Sequence, residues 1–141
     1  MSIAIEAAEL MERSQWLTTE EATTAVQDPA ERAAVAEELA KEGIDVEVVD
    51  LRTVDPIDED AIVTSIKKTH RLVVVQETWR NCSVSSEVAA IAAEKALDYL
   101  DEPVLRVTAH HVPTPFSPVL EEYVLPNEEK IVAAVRRVAG G

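Results

Sequence analysis

Glycine and cysteine are scarce in this sequence, and each scarcity excludes a class of site. The three glycines are Gly43, Gly140 and Gly141, and none of them lies in a Gly-rich loop. A dinucleotide-binding fingerprint or a P-loop needs such a loop to bring backbone N–H groups close to a phosphate, so both are excluded in their usual form. The single cysteine, Cys82, excludes an internal disulfide framework.

Long apolar runs and basic residues are also scarce. No window approaches the ~20 apolar residues needed to span a bilayer. Residues 1–5 carry no base ahead of an apolar core, so no signal peptide is predicted, and a cytoplasmic protein is expected. Only 13 Lys and Arg stand against 27 Asp and Glu, a formal net charge of −14. Because like charges repel, nucleic acid and anionic membranes are disfavoured as partners, whereas basic proteins and a salt-rich host stay open.

The chain is organised around residues 71–99. Residues 72–75 form an apolar, largely β-branched run without polar alternation, which predicts a strand buried on both faces. A polar joint follows at 76–83. Beyond it, apolar residues recur at helical spacing and predict a covering helix. The predicted inward stripe of this helix comprises Val84, Val88, Ile91, Ala92, Ala96 and Tyr99.

The segments before this unit predict two helices separated by an ambiguous stretch. Residues 3–16 carry apolar residues on one helical stripe and predict a helix. Residues 18–26 combine a capping-box pattern with a β-prone run, so helix and strand both stay open there. Asp28 and the proline after it are a typical helix start, and Gly43 is the residue type that ends a helix.

The remaining segments alternate strands with helices. Residues 44–51 predict a strand, and Asp58 is the predicted cap of the next helix, whose inward stripe follows it. After the central unit, residues 104–108 predict a strand, 112–125 a proline-stiffened loop around one helical turn, and Asn127 the cap of a final helix. This alternation predicts an α/β fold with a mostly parallel sheet, right-handed crossovers and helices on both faces.

Few residues are candidates for chemistry. His110 and His111 are adjacent at a strand end, where side chains point to opposite faces and rarely share a metal, so surface or packing roles are favoured. Cys82 precedes a predicted helix and lies near Arg80, which favours a thiolate, but no histidine is near it and packing is favoured. Glu77 lies where open α/β sheets place ligands, although strands commonly end on polar residues.

The turn at residues 98–102, called the acidic turn below, carries Asp98, Asp101 and Glu102. These carboxylates follow the C-terminal end of a predicted helix, where the helix dipole disfavours negative charge. Two interpretations stay open. The turn is either a solvated loop or a docking point for a basic partner, whose arginines engage carboxylates bidentately.

An ordered succession of segments between about Asp28 and Val138 resembles the C-terminal domain of the β subunit of 2-oxoacid dehydrogenase E1 components, of the pyruvate and branched-chain type. Transketolase shares this domain. The resemblance implies a three-layer α/β/α sandwich with a small, mostly parallel sheet. It divides the chain into a helical N-terminal extension, residues 1–27, which matches the family poorly, and a transketolase C-terminal-like domain, residues 28–141. The segments are LAKEGIDVEVVDLRT (39–53), PID (56–58), KTHRLVVV (68–75), DYLDEPV (98–104), RVT (106–108) and VPTPFSP (112–118).

The resemblance also implies a function in assembly. In that family, thiamine diphosphate and Mg²⁺ are held between an α-subunit domain and the N-terminal domain of β. No catalytic, cofactor-binding or metal residue therefore carries over, and the isolated chain is expected to be inactive and to bind no cofactor alone. The C-terminal domain contacts other E1 subunits and docks the E2 acyltransferase. Asp101 matches a position that meets an arginine of the E2 subunit-binding domain, with Asp98 and Glu102 beside it.

Two departures from the family pattern keep an alternative open. Family members enter this domain through a long apolar strand, for which residues 23–26 are a poor substitute. The family's joint after Trp79 is usually Gly-rich, whereas residues 81–86 here carry side chains that would block the close approach glycine permits. The alternative is a free-standing protein-interaction module derived from the domain by truncation. The 2-oxoacid of the parent complex and a homodimeric state also stay open.

Overall fold

A computed structural model describes residues 2–5 and 29–140 of the chain. Within these ranges, four strands form one sheet in the order β2-β1-β3-β4, and every described strand pairing is parallel. The elements in chain order are β1 (Ser2–Ile5), α1 (Pro29–Lys41), β2 (Glu47–Asp50), α2 (Glu59–Thr69), β3 (Leu72–Trp79), α3 (Val84–Lys95), a 3-10 turn (Leu97–Tyr99), β4 (Leu105–Ala109), α4 (Pro118–Val124) and α5 (Glu128–Ala139).

Strand β3 is buried on both faces, as its unbroken apolar run predicts. Successive side chains of a strand point to opposite faces. Leu72 and Val74 therefore join a core that α2 and α3 complete, while Val73 and Val75 join a second core on the other face with α1 and α5. The predicted α/β/α sandwich around a parallel sheet is confirmed.

The prediction fails at the N-terminal end of the described chain. Residues 2–5 form a strand between β2 and β3, so the helix predicted over residues 3–16 is wrong for residues 3–5. The strand is stabilised by pairing with two distant segments, in which Ser2 lies opposite both Glu47 and Leu72. Local periodicity contains no such information. Residues 6–28, with the rest of that helix and the ambiguous stretch, lie outside the described residues, and the domain division stays a prediction.

The polar joint predicted from residue 76 also begins too early, because β3 continues to Trp79. Gln76 is buried within the strand, 4% exposed. Its side-chain Oε1 accepts a hydrogen bond of 2.7 Å from the backbone N–H of Ser85 in the first turn of α3. The first N–H groups of a helix have no intrahelical acceptor, so this bond satisfies one of them. A polar residue inside the strand thereby joins it to its covering helix.

The predicted helix caps at Asp58 and Asn127 are confirmed, whereas the one predicted at Asp28 lies outside the described residues. The Asp58 carboxylate accepts a hydrogen bond of 3.0 Å from the backbone N–H of Ala61, and the Asn127 side chain accepts one of 3.0 Å from Lys130. Helix α4 has seven residues, longer than the single turn predicted within a loop. The predicted strand over 44–51 is shorter than expected and covers Glu47–Asp50. Among the described helices, none is long and apolar enough to cross a membrane.

Candidate functional site

The acidic turn is held between the C-terminal ends of two helices. Helix α3 ends at Lys95, and the chain continues through the 3-10 turn toward β4. The backbone N–H of Asp101 donates a hydrogen bond of 2.9 Å to the carbonyl oxygen of His70, which follows α2. The His70 ring Nδ1 lies 2.9 Å from the carbonyl oxygen of Tyr99. Two hydrogen-bonded contacts therefore fix the turn against the end of α2.

Exposed apolar side chains accompany the carboxylates of this turn. Tyr99 is 43% exposed and Leu97 is 63% exposed, so the prediction that Tyr99 belongs to the inward stripe is wrong. The helical spacing no longer applies there, because α3 has ended four residues earlier. The Lys67 ammonium lies 5.2 Å from the centroid of the Tyr99 ring, within the range of a cation–π contact. The acidic docking surface is defined here as Leu97, Asp98, Tyr99, Asp101 and Glu102.

The three carboxylates of this surface have no salt-bridge partner among the described residues. Asp98 and Asp101 are exposed and Glu102 is half-buried. None of them forms a salt bridge with another residue in the described ranges. They also lie near the negative ends of the α2 and α3 dipoles, an unfavourable location for an anion. Within the described ranges, no ion pair with these carboxylates therefore stabilises the fold.

The other candidate residues are not brought into this surface. His111 packs against Trp79 with ring centroids 5.0 Å apart, and His110 stacks on Tyr123 at 5.4 Å, so the predicted surface and packing roles are confirmed. Cys82 is exposed, and the packing role favoured for it is wrong. Its backbone has φ 51°, the left-handed region that glycine adopts without cost. In the described part of the chain, no three His, Cys, Asp or Glu side chains are grouped as a metal site.

A second surface, which sequence reasoning missed, lies on α4 and the loop before it. Its apolar side chains are unusually exposed, and the loop prediction gave no reason to expect an apolar face there. A large exposed apolar patch on a soluble domain commonly marks a contact with another protein. The α4 surface is defined here as Phe116, Val119, Leu120 and Tyr123, which are 105%, 76%, 53% and 67% exposed.

A third feature that the sequence did not reveal is a cavity of about 580 Å³. It lies beside β4, with lining residues that follow the carboxyl ends of β3 and β4. Its polar lining comes from segments that are separate in sequence, so no local motif predicts the cavity. The basic cavity is named here for Arg80, Asn81, Arg106, His110, His111 and Lys130.

The electrostatics of the described surface leave much of the negative charge unbalanced. The ion pairs among described residues are solvent-exposed on at least one side, and such pairs contribute little stability. Arg136 and Glu42 form one of them, joining α5 to the chain after α1. The hydrogen bond from Arg136 lowers the pKa of the Glu42 carboxyl. With a formal net charge of −14, repulsion among the remaining acids opposes the compact state.

We therefore expect the melting temperature of the chain to rise as KCl is added. Screening shortens the Debye length from ~30 Å at 0.01 M to ~3 Å at 1 M, which relieves repulsion between distant acids. Differential scanning calorimetry across this range measures the effect, and sucrose serves as the uncharged control. A flat or falling curve would show that the acids are already well compensated and would remove the support for a salt-rich host.

Comparisons with known proteins agree with this architecture. A family described as "Transketolase, C-terminal domain" matches residues 30–131. The β subunit of acetoin:2,6-dichlorophenolindophenol oxidoreductase from Bacillus subtilis is 47% identical over 105 residues, covering 74% of this chain and 31% of the relative. The pyruvate dehydrogenase E1 component β subunit of Rickettsia felis is 45% identical over 100 residues, covering 71% of this chain and 31% of the relative.

A solved structure gives the same fold. A split-gene transketolase, described as an inactive β4 tetramer, superposes with a TM-score of 0.66 over 97% of this chain and 37% of that chain. Its sequence identity is 24%, so this likeness shows the fold alone.

The chain belongs to the transketolase C-terminal domain family. It is a domain of the type found in the β subunits of 2-oxoacid dehydrogenase E1 components, and it spans about a third of the length of the curated relatives it matches. The resemblance seen in its sequence is thereby confirmed.

Proposed function

We propose that this chain is the assembly and docking domain of a thiamine-diphosphate-dependent 2-oxoacid dehydrogenase E1 β subunit, and that it works in the cytoplasm. The acidic docking surface binds the basic subunit-binding domain of an E2 acyltransferase. The observation that carries this proposal is the set of exposed or half-buried carboxylates that form no salt bridge with any described residue, held beside two helix C-terminal ends. Charge that does not stabilise the fold is available to a partner.

The composition of this surface suits a protein contact. Interfaces are enriched in aromatic side chains at their centre and carry a polar rim. Tyr99 and Leu97 supply exposed apolar area. One of the three carboxylates lies between them in sequence and the other two follow. Arginines of a basic partner form paired hydrogen bonds with carboxylates, which adds geometric specificity to the attraction.

The α4 surface supports the other half of the proposal, contact with E1 subunits. Its four exposed side chains lie on one short helix and the loop before it. Because the chain covers about a third of its relatives' length, the remaining parts of E1 are the proposed cover for this patch. Thiamine diphosphate and Mg²⁺ belong to those parts in this proposal.

The docking proposal is tested by titrating an E2 subunit-binding domain into the chain in a calorimeter at low and high salt. The combined variant Asp98→Asn, Asp101→Asn and Glu102→Gln should lose at least about tenfold in affinity, because charge-assisted contacts at the surface are removed. The control variant neutralises three exposed glutamates elsewhere, Glu37→Gln, Glu87→Gln and Glu129→Gln. An equal loss in both variants would mean that only the overall charge matters, and the assignment of a specific surface would be wrong.

The isolated chain is expected to bind no thiamine diphosphate. Binding its diphosphate requires a loop that presents backbone N–H groups and an acidic Mg²⁺ site, and the sequence offers no glycine-rich stretch for the former. Calorimetry with thiamine diphosphate and Mg²⁺ checks this, with an assembled E1 as the positive control. Micromolar affinity for the cofactor by this chain alone would contradict the proposal.

One observation favours the alternative of a free-standing interaction module. Strand β1 lies at the centre of the sheet, so the described residues complete a two-sided core from their own chain. Purification from the host separates the two functions. A thiamine-binding partner that co-purifies supports the assembly domain, whereas a chain recovered without one supports the module.

A further inference from the structure

The basic cavity reverses the charge of the molecule locally. Acids outnumber bases by 27 to 13 in the whole sequence, yet Arg80, Arg106 and Lys130 line this cavity, and among the described residues no Asp or Glu lines it. Two of the chain's three histidines, His110 and His111, complete the polar wall. A neighbouring cavity of about 320 Å³ shares both arginines and adds Arg137, so the positive charge continues along β4.

The Arg106 guanidinium is held against the backbone of Arg80, and neither arginine has an acidic partner among the described residues. The Nη1 of Arg106 donates hydrogen bonds of 3.0 Å to the carbonyl oxygen of Arg80 and 2.8 Å to the Ser86 hydroxyl, which fixes its guanidinium. Burial lowers the pKa of Arg106, and the positive charge of Arg80 lowers it further. Neither arginine forms a salt bridge within the described ranges. A bound anion would relieve this repulsion.

The walls of the cavity are held in place by contacts of their own. Trp79, against which His111 packs, donates a hydrogen bond of 3.1 Å from its indole Nε1 to the carbonyl oxygen of Val112. The Lys130 ammonium donates to the carbonyl oxygens of Tyr123 and Leu125, at 2.5 and 2.6 Å. Lys130 therefore contributes charge from a fixed position, while Arg80 has a side chain free to bind within the described structure.

We propose that the basic cavity is a binding site for a phosphate group, carried by free phosphate or by a small phosphate monoester. Guanidinium groups match phosphate oxygens with paired, planar hydrogen bonds, and imidazole and amide N–H groups add donors. Open α/β sheets bind ligands beyond the carboxyl ends of their strands, and this cavity extends from the side of β4 to the residues that follow the carboxyl ends of β3 and β4. A volume of about 580 Å³ accommodates a phosphate with a small organic group attached.

This site is independent of the acidic docking surface. No residue of the acidic turn lines the cavity. The acidic turn precedes β4 and the two cavity histidines follow it, so these histidines lie roughly 16 Å further along the strand at ~3.3 Å per residue. Failure of E2 docking would leave the phosphate site untouched, and the converse holds.

The first experiment follows the histidine ring protons by NMR while inorganic phosphate or phenyl phosphate is titrated into the chain at constant ionic strength, with chloride as the reference anion. The ring-proton chemical shifts of His110 and His111 should change with phosphate concentration and reach saturation. His70, which lies before β3 beside the acidic turn, is an internal control, and its ring-proton chemical shifts should not change. Tighter binding of phenyl phosphate identifies a monoester as the ligand, and equal binding identifies free phosphate. Equal, unsaturable shifts of all three histidines would overturn the proposal.

A matched pair of variants tests the arginine contribution. Arg80→Gln should weaken phosphate binding by about tenfold or more, because a charge-assisted pair of hydrogen bonds is lost. Arg52→Gln removes the same charge from an arginine that follows β2, three strands away in the sheet and beside Asp50, and should change affinity by less than about twofold. Thermal melts of both variants verify that they are folded. Equal affinities for phosphate in the two variants would refute the assignment.

Discussion

Replacing Asp101 by alanine is expected to lower the affinity for a basic E2 subunit-binding domain at least tenfold, whereas Asp98→Ala should lower it much less. Removing one partner of a desolvated charge pair costs ~2–5 kcal/mol, while charges at an interface rim mainly set the association rate. The hydrogen bond from the Asp101 backbone to the His70 carbonyl oxygen fixes its position. Asp98 instead lies within the 3-10 turn. Calorimetric titrations of the two single variants against the parent chain measure the difference.

The same substitution has a second readout, which separates a binding effect from a damaged fold. Removing a carboxylate near the ends of the α2 and α3 dipoles should raise the free energy of unfolding by ~0.3–1 kcal/mol. A variant that binds E2 more weakly yet melts higher would show that the Asp101 carboxylate serves the partner. If Asp101→Ala binds as well as the parent chain does, the acidic turn is only a solvated loop.

The largest loss of stability is expected from Leu72→Ala. Leu72 is 1% exposed and packs in the core between β3 and the helices α2 and α3. A buried Leu→Ala substitution typically costs ~2–5 kcal/mol, because transfer free energy is lost and a cavity remains. Typical domains have only ~5–15 kcal/mol in total, so this variant should lose a large share of its stability. Urea denaturation followed by circular dichroism measures the change.

Leu120→Ala is the matched control for that experiment. It removes the same atoms from a leucine that is 53% exposed on the α4 surface. Substitutions at such exposed positions usually change the free energy of unfolding by less than ~0.5 kcal/mol. Comparable losses in the two variants would mean that β3 does not occupy the tightly packed centre of the core.

The parts of the fold that could be predicted from sequence are those with a strong local pattern. The apolar run of β3 and the side-chain caps at Asp58 and Asn127 are local features, and the structure has them where they were expected. Strand β1 could not be found this way, because its stability comes from pairing with β2 and β3. Tyr99 does not join the inward stripe because α3 ends at Lys95, so the helical spacing no longer applies at residue 99.

The candidate sites differ in the same way: one has a local sequence pattern and the other does not. The acidic turn is contiguous in sequence, and the family resemblance predicts a docking role for Asp101. The basic cavity brings together Arg80, which follows β3, and Arg106, which lies in β4. In the sequence, neither arginine adjoins the two histidines that complete it. Side chains that come together only because their strands are neighbours in the sheet leave no local sequence pattern. The cavity therefore cannot be predicted from the sequence and is visible only in the structure.

The position of β1 has a consequence for how this chain folds. In the chain, β1 precedes both strands that flank it in the sheet. Ser2 pairs with Leu72, and the described elements α1, β2 and α2 all lie between them in sequence. Contacts between segments so distant in sequence close large loops and slow the search for the native state. Until β3 is synthesised, β1 and β2 have unpaired strand edges, which favour association between chains. The interval of synthesis between β1 and β3 is therefore one in which unpaired strand edges expose this chain to aggregation.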